Sequence, residues 1–178
     1  MSLVVVTVIG LYLSNRQARK AQADDFLWRL VEKWESEEMR ACRMRAASDF
    51  LHHRKVSRNT IEIYNFLELI GFFVRSGTVP DDGAWVYFST FVWGYWGAGR
   101  VMIALQQIDD PTVFQELDIL VKRLTKFEVR RRHISEEQTK WNDEEVELFL
   151  KNEMELIPPP EPAKWRRWVS RAVRLLCR

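Results

Sequence analysis

Apolar positions recur along most of this chain at intervals of three and four residues, the period of a helix with one buried face. Phe26, Leu27, Leu30, Val31 and Trp34 form one such stripe. Met39, Cys42, Ala46 and Phe50 form the next, with Arg43 in register among them. Ser36, followed by Glu37 and Glu38, predicts an N-cap for a second helix reaching about Leu51, where the polar stretch from His52 to Ser57 closes it. Ser57 predicts the cap of a helix over Arg58 to Arg75, stopped by Gly77. That segment is apolar nearly all round, which predicts a central element. A further helix is expected from Ala84 to Gln107. Asp110 and Pro111 then read as N-cap and first residue of a helix reaching Arg132. Ser135 with Gln138 and Asn142 with Glu145 are capping-box patterns opening a last domain helix, with Val146, Phe149, Leu150 and Ile157 on one face. The fold class expected is therefore all-α. Seven glycines and six prolines in 178 residues agree, being too few for many short strands.

The N-terminus departs from this amphipathic pattern. Leu3, Val4, Val5, Val6, Val8, Ile9, Leu11, Tyr12 and Leu13 lie in a run without charge. As a helix from Met1 to Leu13 the run covers roughly 20 Å, against a hydrocarbon core of about 30 Å. It is short for a full span: the anchor interpretation takes it as truncated, with its start further upstream, and the alternatives are a signal peptide and a buried strand or helix of the core. Ala21-Gln22-Ala23 imitates a signal-peptide cleavage site, but Arg16, Arg19 and Lys20 stand between it and the apolar run, the wrong flank for cleavage. The same basic cluster predicts a single-pass protein of the cell membrane with its bulk on the cytoplasmic side. The uncharged stretch from Gly83 to Gly99 is expected to be a buried bundle helix, since a second crossing would place Lys122, Arg123, Lys126 and Arg130 to Arg132 outside.

Charge separates the C-terminus from the rest. The whole chain carries a formal net charge of +2, yet Pro158 to Arg178 holds six basic residues and one acid. Pro158 to Pro162 predicts a stiff spacer. Beyond it Trp165, Trp168, Val169, Ala172, Val173 and Leu176 share one helical face, while Arg167, Arg171, Arg174 and Arg178 take the other. That is the composition of an interfacial helix on anionic lipid, with Cys177 at the boundary where a thiol could be acylated; the alternative is a helix docked on the acidic part of the chain's own domain. One short helix with so large an apolar face is a poor nucleic-acid reader. The domain organisation expected is an anchor over 1–15, a helical bundle over 16–157, a spacer over 158–162 and a basic amphipathic helix over 163–178.

Chemistry is sparsely signalled. Asn65 and Glu68 lie three apart on the most apolar helix, and Arg100, just after the uncharged stretch, is the expected partner of Glu68. A buried polar layer of Asn65, Glu68 and Arg100 is expected, as a register-fixing pair more readily than as a pocket. His52 and His53 are adjacent and do not converge on one ion, so no metal or other cofactor is expected. Gly94, Gly97 and Gly99 lack the Lys-Ser/Thr of a phosphate loop and predict close helix packing. Arg130 to His133 reads as a helix C-terminus complementing its dipole. No catalytic motif is found. Two isolated cysteines, Cys42 and Cys177, suggest a reducing compartment.

Three groups of residues carry a resemblance: Lys33-Trp34-Glu35-Ser36-Glu37-Glu38-Met39-Arg40, Tyr64-Asn65-Phe66-Leu67-Glu68-Leu69-Ile70-Gly71 with Arg75 and Gly77, and Tyr95-Trp96. In these, from the anchor to about Glu128, the chain resembles a domain-of-unknown-function family of bacterial single-span membrane proteins with a helical cytoplasmic domain. The resemblance implies a fold and a topology and no activity. The function expected is a membrane-tethered scaffold or partner-binding module, with an unidentified protein partner. The alternative is a membrane-associated enzyme or membrane-perturbing effector using the layer around Asn65, Glu68 and Arg100.

Overall fold

The computed structural model describes residues 2–53 and 57–156, with residues 2–12 and His53 as backbone. The described residues form six α-helices and no strand: α1 (Ser2–Trp34), α2 (Glu37–Ser48), α3 (Arg58–Arg75), α4 (Asp81–Asp109), α5 (Gln115–Arg132) and α6 (Asp143–Met154). A π-helical turn, Asp49–His53, extends α2, and a short 3₁₀ turn, Glu137–Thr139, precedes α6. The spacer, the basic segment 163–178 and Ile157 lie outside the described residues.

Local chemistry sets most helix boundaries. The Ser36 hydroxyl accepts the Met39 N–H at 3.3 Å and starts α2. Ser57 with Thr60, and Asn142 with Glu145, form reciprocal capping boxes at the starts of α3 and α6. Gly77 ends the α3 region at φ +76°, a conformation suited to glycine. The start of α5 differs from the expectation. Asp110 accepts the Thr112 N–H and hydroxyl in a turn, and α5 begins only at Gln115, after Phe114 at φ 55°. Burial of the Phe114 ring, 5.3 Å from that of Tyr64, holds this left-handed residue in place.

The core is built around Trp34, whose ring meets those of Phe66, Phe88, Phe91 and Tyr95. α3 buries Ile63, Tyr64, Leu67, Ile70 and Val74 completely, yet it is not enclosed: Ile61, Asn65, Leu69 and Phe72 form an outer face. α4 lies within the bundle, and its glycines serve close packing. A Cβ at Gly94 would meet the Phe149 ring, at Gly97 the Val146 side chain, and at Gly99 the Tyr64 hydroxyl. Among the described residues no helix is long and apolar enough to cross a membrane.

These contacts fix directions. Leu27 packs at Gly83 and Trp34 against Phe91, so α1 and α4 run the same way. Asp143 lies beside Arg100, Val146 against Gly97 and Phe149 against Gly94, so α6 runs back along α4. Its last turn heads for the end of the bundle at which α4 begins and from which α1 projects.

Candidate functional site

Three places carry more than packing. The first is a buried ionic centre joining four helices. Arg43 of α2 is 2% exposed and forms a two-pronged pair with Glu153 of α6, Nε to Oε2 and Nη2 to Oε1 both at 2.7 Å. Its Nη1 donates to the Trp34 carbonyl at 3.3 Å and to Glu35 Oε1 at 3.2 Å. The guanidinium lies 4.6 Å from the ring centroids of both Trp34 and Phe91. Tyr95 of α4 donates its hydroxyl to Glu153 Oε2 at 2.8 Å, and Arg40 pairs with the other oxygen of Glu35. Two arginines thus face two carboxylates, and the charge closes to zero. Burial works against the charge on Arg43, but its bonds to Glu153 and the nearness of Glu35 hold its pKa above the ordinary arginine value. Burial first, and Glu153 next, push the Tyr95 hydroxyl well above the usual phenol range, so it stays a donor. A centre so fully paired holds the fold and leaves no group free for reaction.

The second is the expected polar layer, and here the structure corrects the sequence. Glu68 does not pair with Arg100. Its carboxylate accepts the backbone N–H groups of Glu116 at 3.0 Å and Leu117 at 2.6 Å, capping α5 from another helix where Phe114 offers no side-chain acceptor. Arg100 pairs with Asp143 at 3.0 Å, with both side chains more than half exposed. Asn65 is exposed. The reason is angular. Gly99 is the α4 residue that meets Tyr64 of α3, and the next residue along a helix points about 100° away. Arg100 therefore faces α6. Burial pushes the Glu68 pKa up, its two backbone bonds pull it down, Glu116 pushes it up again, and the net direction is upward.

Other residues of the groups behind the resemblance also serve packing. A Cβ on Gly71 would collide with the Glu116 carbonyl oxygen, Arg75 pairs with Glu116, and Tyr64 donates to the Tyr95 carbonyl at 2.7 Å. A shallow pocket of about 270 Å³ lies between α2 and α3, lined by Glu38, Met39, Cys42, Arg45, Arg58, Asn59 and Glu62. The Cys42 thiol there is buried and donates to the Asn59 carbonyl; burial first, then Glu62, push its pKa up to about 11. It is a poor nucleophile at neutral pH. Among the described residues no three His, Cys, Asp or Glu side chains gather to hold a metal ion.

The third is the disposition of α1 and α4. Among the α1 residues whose side chains are described, 13–34, the buried ones are Leu27, Leu30, Val31 and Trp34, and every residue from Leu13 to Gln22 is exposed. At the far end of α4, Val101, Ala104, Leu105 and Ile108 form an exposed apolar ridge, with Ile108 75% exposed. Residue spacing signals both features, whereas the Arg43–Glu153 pair bridges 110 positions and no local signal finds it. Comparison with protein families, with characterised proteins and with solved structures finds no match.

Proposed function

We propose that this chain is a membrane-tethered helical module that presents its bundle to a protein partner at the cytoplasmic face, the role that its resemblance to single-span bacterial proteins implies. One observation carries the proposal. α1 is a single helix of 33 residues, and among its described side chains the bundle buries only Leu27, Leu30, Val31 and Trp34. Leu13 is separated from Phe26 by about 20 Å of helix, all of it polar or small and exposed up to Gln22. A helix that leaves its bundle for so long a stretch needs another environment for its apolar end, and Leu3 to Leu13 suits hydrocarbon. Arg16, Arg19 and Lys20 then lie at headgroup level on the cytoplasmic side.

Two further observations support it. α6 runs back along α4 toward the end of the bundle from which α1 projects. The ridge of Val101, Ala104, Leu105 and Ile108 lies at the opposite end, which suits a partner-binding role. The enzymatic alternative loses its footing, because Asn65, Glu68 and Arg100 face three directions.

The test is membrane fractionation of the full chain beside a Val6→Lys/Ile9→Lys variant, each lysine costing about 2.5–3.5 kcal/mol near the centre of an inserted helix. Wild type is expected in the washed membrane pellet and the variant, folded, in the supernatant. Equal recovery of both in either fraction contradicts the tether.

A further inference from the structure

The second half of α5 is strongly basic, and the fold places it beside the stalk. Lys122, Arg123, Lys126, Arg130, Arg131 and Arg132 are accompanied there by one acid, Glu128. Glu128 is 3% exposed and turned inward, where it accepts the Trp85 indole N–H and pairs with Arg132. It does not offset the outer surface. Leu117, Leu120, Leu124 and Glu128 make the buried stripe of the helix. Lys122, Lys126, Arg130 and His133 stand opposite, exposed along one ridge. Lys122 pairs with Asp118 on the surface, a bond of small worth in water. Among the described residues neither Lys126 nor Arg130 has a carboxylate partner, and the Arg130 Nε donates to the Lys126 carbonyl.

The position of the ridge decides its meaning. Arg123 pairs with Asp81 in the first turn of α4, and Arg131 stacks over Trp85, 4.8 Å from its ring centroid. Leu27 of α1 packs on the same first turns, at Gly83. This half of α5 therefore lies at the end of the bundle from which the stalk departs. A stalk leaning from the upright brings the ridge onto the headgroups, and each basic residue near an anionic surface contributes attraction that salt screens.

We propose that the outer face of α5, centred on Lys122, Lys126 and Arg130, docks the bundle onto anionic phospholipid. The proposal rests on the tether described above and deepens it: the apolar segment holds the protein to any bilayer, and α5 selects an anionic one. Docking lays the bundle against the surface instead of leaving it free on the stalk.

The experiment uses the full chain with two vesicle types, phosphatidylcholine alone and phosphatidylcholine with 30% phosphatidylserine, measuring partition and the acetylation rate of individual lysines. Binding to neutral vesicles reports the tether. Selective protection of Lys122 and Lys126 on anionic vesicles, several-fold and reversed by salt, with Lys140 unprotected, is the expected result for the ridge. Lys126→Glu/Arg130→Glu should lower the partition ratio of anionic to neutral vesicles by more than about thirtyfold at low salt while leaving neutral binding unchanged. Lys126→Gln/Arg130→Gln should lower it less. Neutral binding without lysine protection would overturn the docking and leave the tether standing. Absence of all vesicle binding would overturn both. Binding to duplex DNA that the same substitutions abolish, with no protection on vesicles, would assign the ridge to nucleic acid and overturn the proposal.

Discussion

Arg43 shows how much one side chain holds in this fold. Its guanidinium touches α1 through Trp34 and its carbonyl, α4 through Phe91, and α6 through Glu153. Removing one member of a buried pair leaves the other charge uncompensated, so Arg43→Met or Glu153→Leu alone should cost about 3–5 kcal/mol, and both together much less than the sum. Urea denaturation of the two single variants and the double variant measures this. Glu68 carries a pH signature. Its pKa in the fold lies above the ordinary carboxylate value, so the folded chain binds more protons than the unfolded chain between the two values. Glu68 therefore makes stability fall as pH rises through that window, upward from about 4.5, and Glu68→Gln should remove that part of the slope. Melting from pH 4 to 7 compares the two. Arg43 was legible as an arginine on an apolar stripe, but its partner was not. The Glu68–Arg100 expectation failed because spacing along one helix says nothing about which neighbour each face meets.

Among the elements, the starts capped by Ser36, Ser57 and Asn142 are readable to the residue, because the signal and its acceptor lie within one turn, whereas the Ser135–Gln138 pattern precedes only a short 3₁₀ turn and does not open α6. α5 was misplaced because its cap comes from α3, 48 positions away from Glu116. Gly71 gives this contact a test with a decisive sign. Helix propensity alone makes Gly→Ala favourable by about 0.8–1.0 kcal/mol in a helix interior. The α3–α5 approach leaves no room for the added carbon, so Gly71→Ala should instead destabilise by about 1–3 kcal/mol. The ridge on α4 behaves in the opposite way. Leu105 and Ile108 are 61% and 75% exposed, so Leu105→Gln/Ile108→Gln should change stability by no more than about 0.5 kcal/mol. A large loss in thermal unfolding would give the ridge a structural role instead of a binding one.

On the scale of the molecule, the helical class and the bundle were written in the periodicity, while the directions of its helices emerged only from contacts. Parallel α1 and α4, with α5 returning to the first turns of α4, bring the stalk and the basic half of α5 to one end, leaving the apolar ridge of α4 at the other. That polarity suits the proposed tether, and the proposal rests on the apolar end of α1 entering a bilayer. The most direct measurement places a fluorophore on that helix at two depths. In a background of Cys42→Ala and Cys177→Ala, Ile9→Cys and Arg19→Cys are labelled separately and the full chain is reconstituted with phosphatidylcholine vesicles. The label at position 9 should be quenched by brominated acyl chains and shielded from iodide, and the label at position 19 should show the reverse. Iodide reaching both positions equally, with no quenching from the acyl chains at either, would contradict the tether.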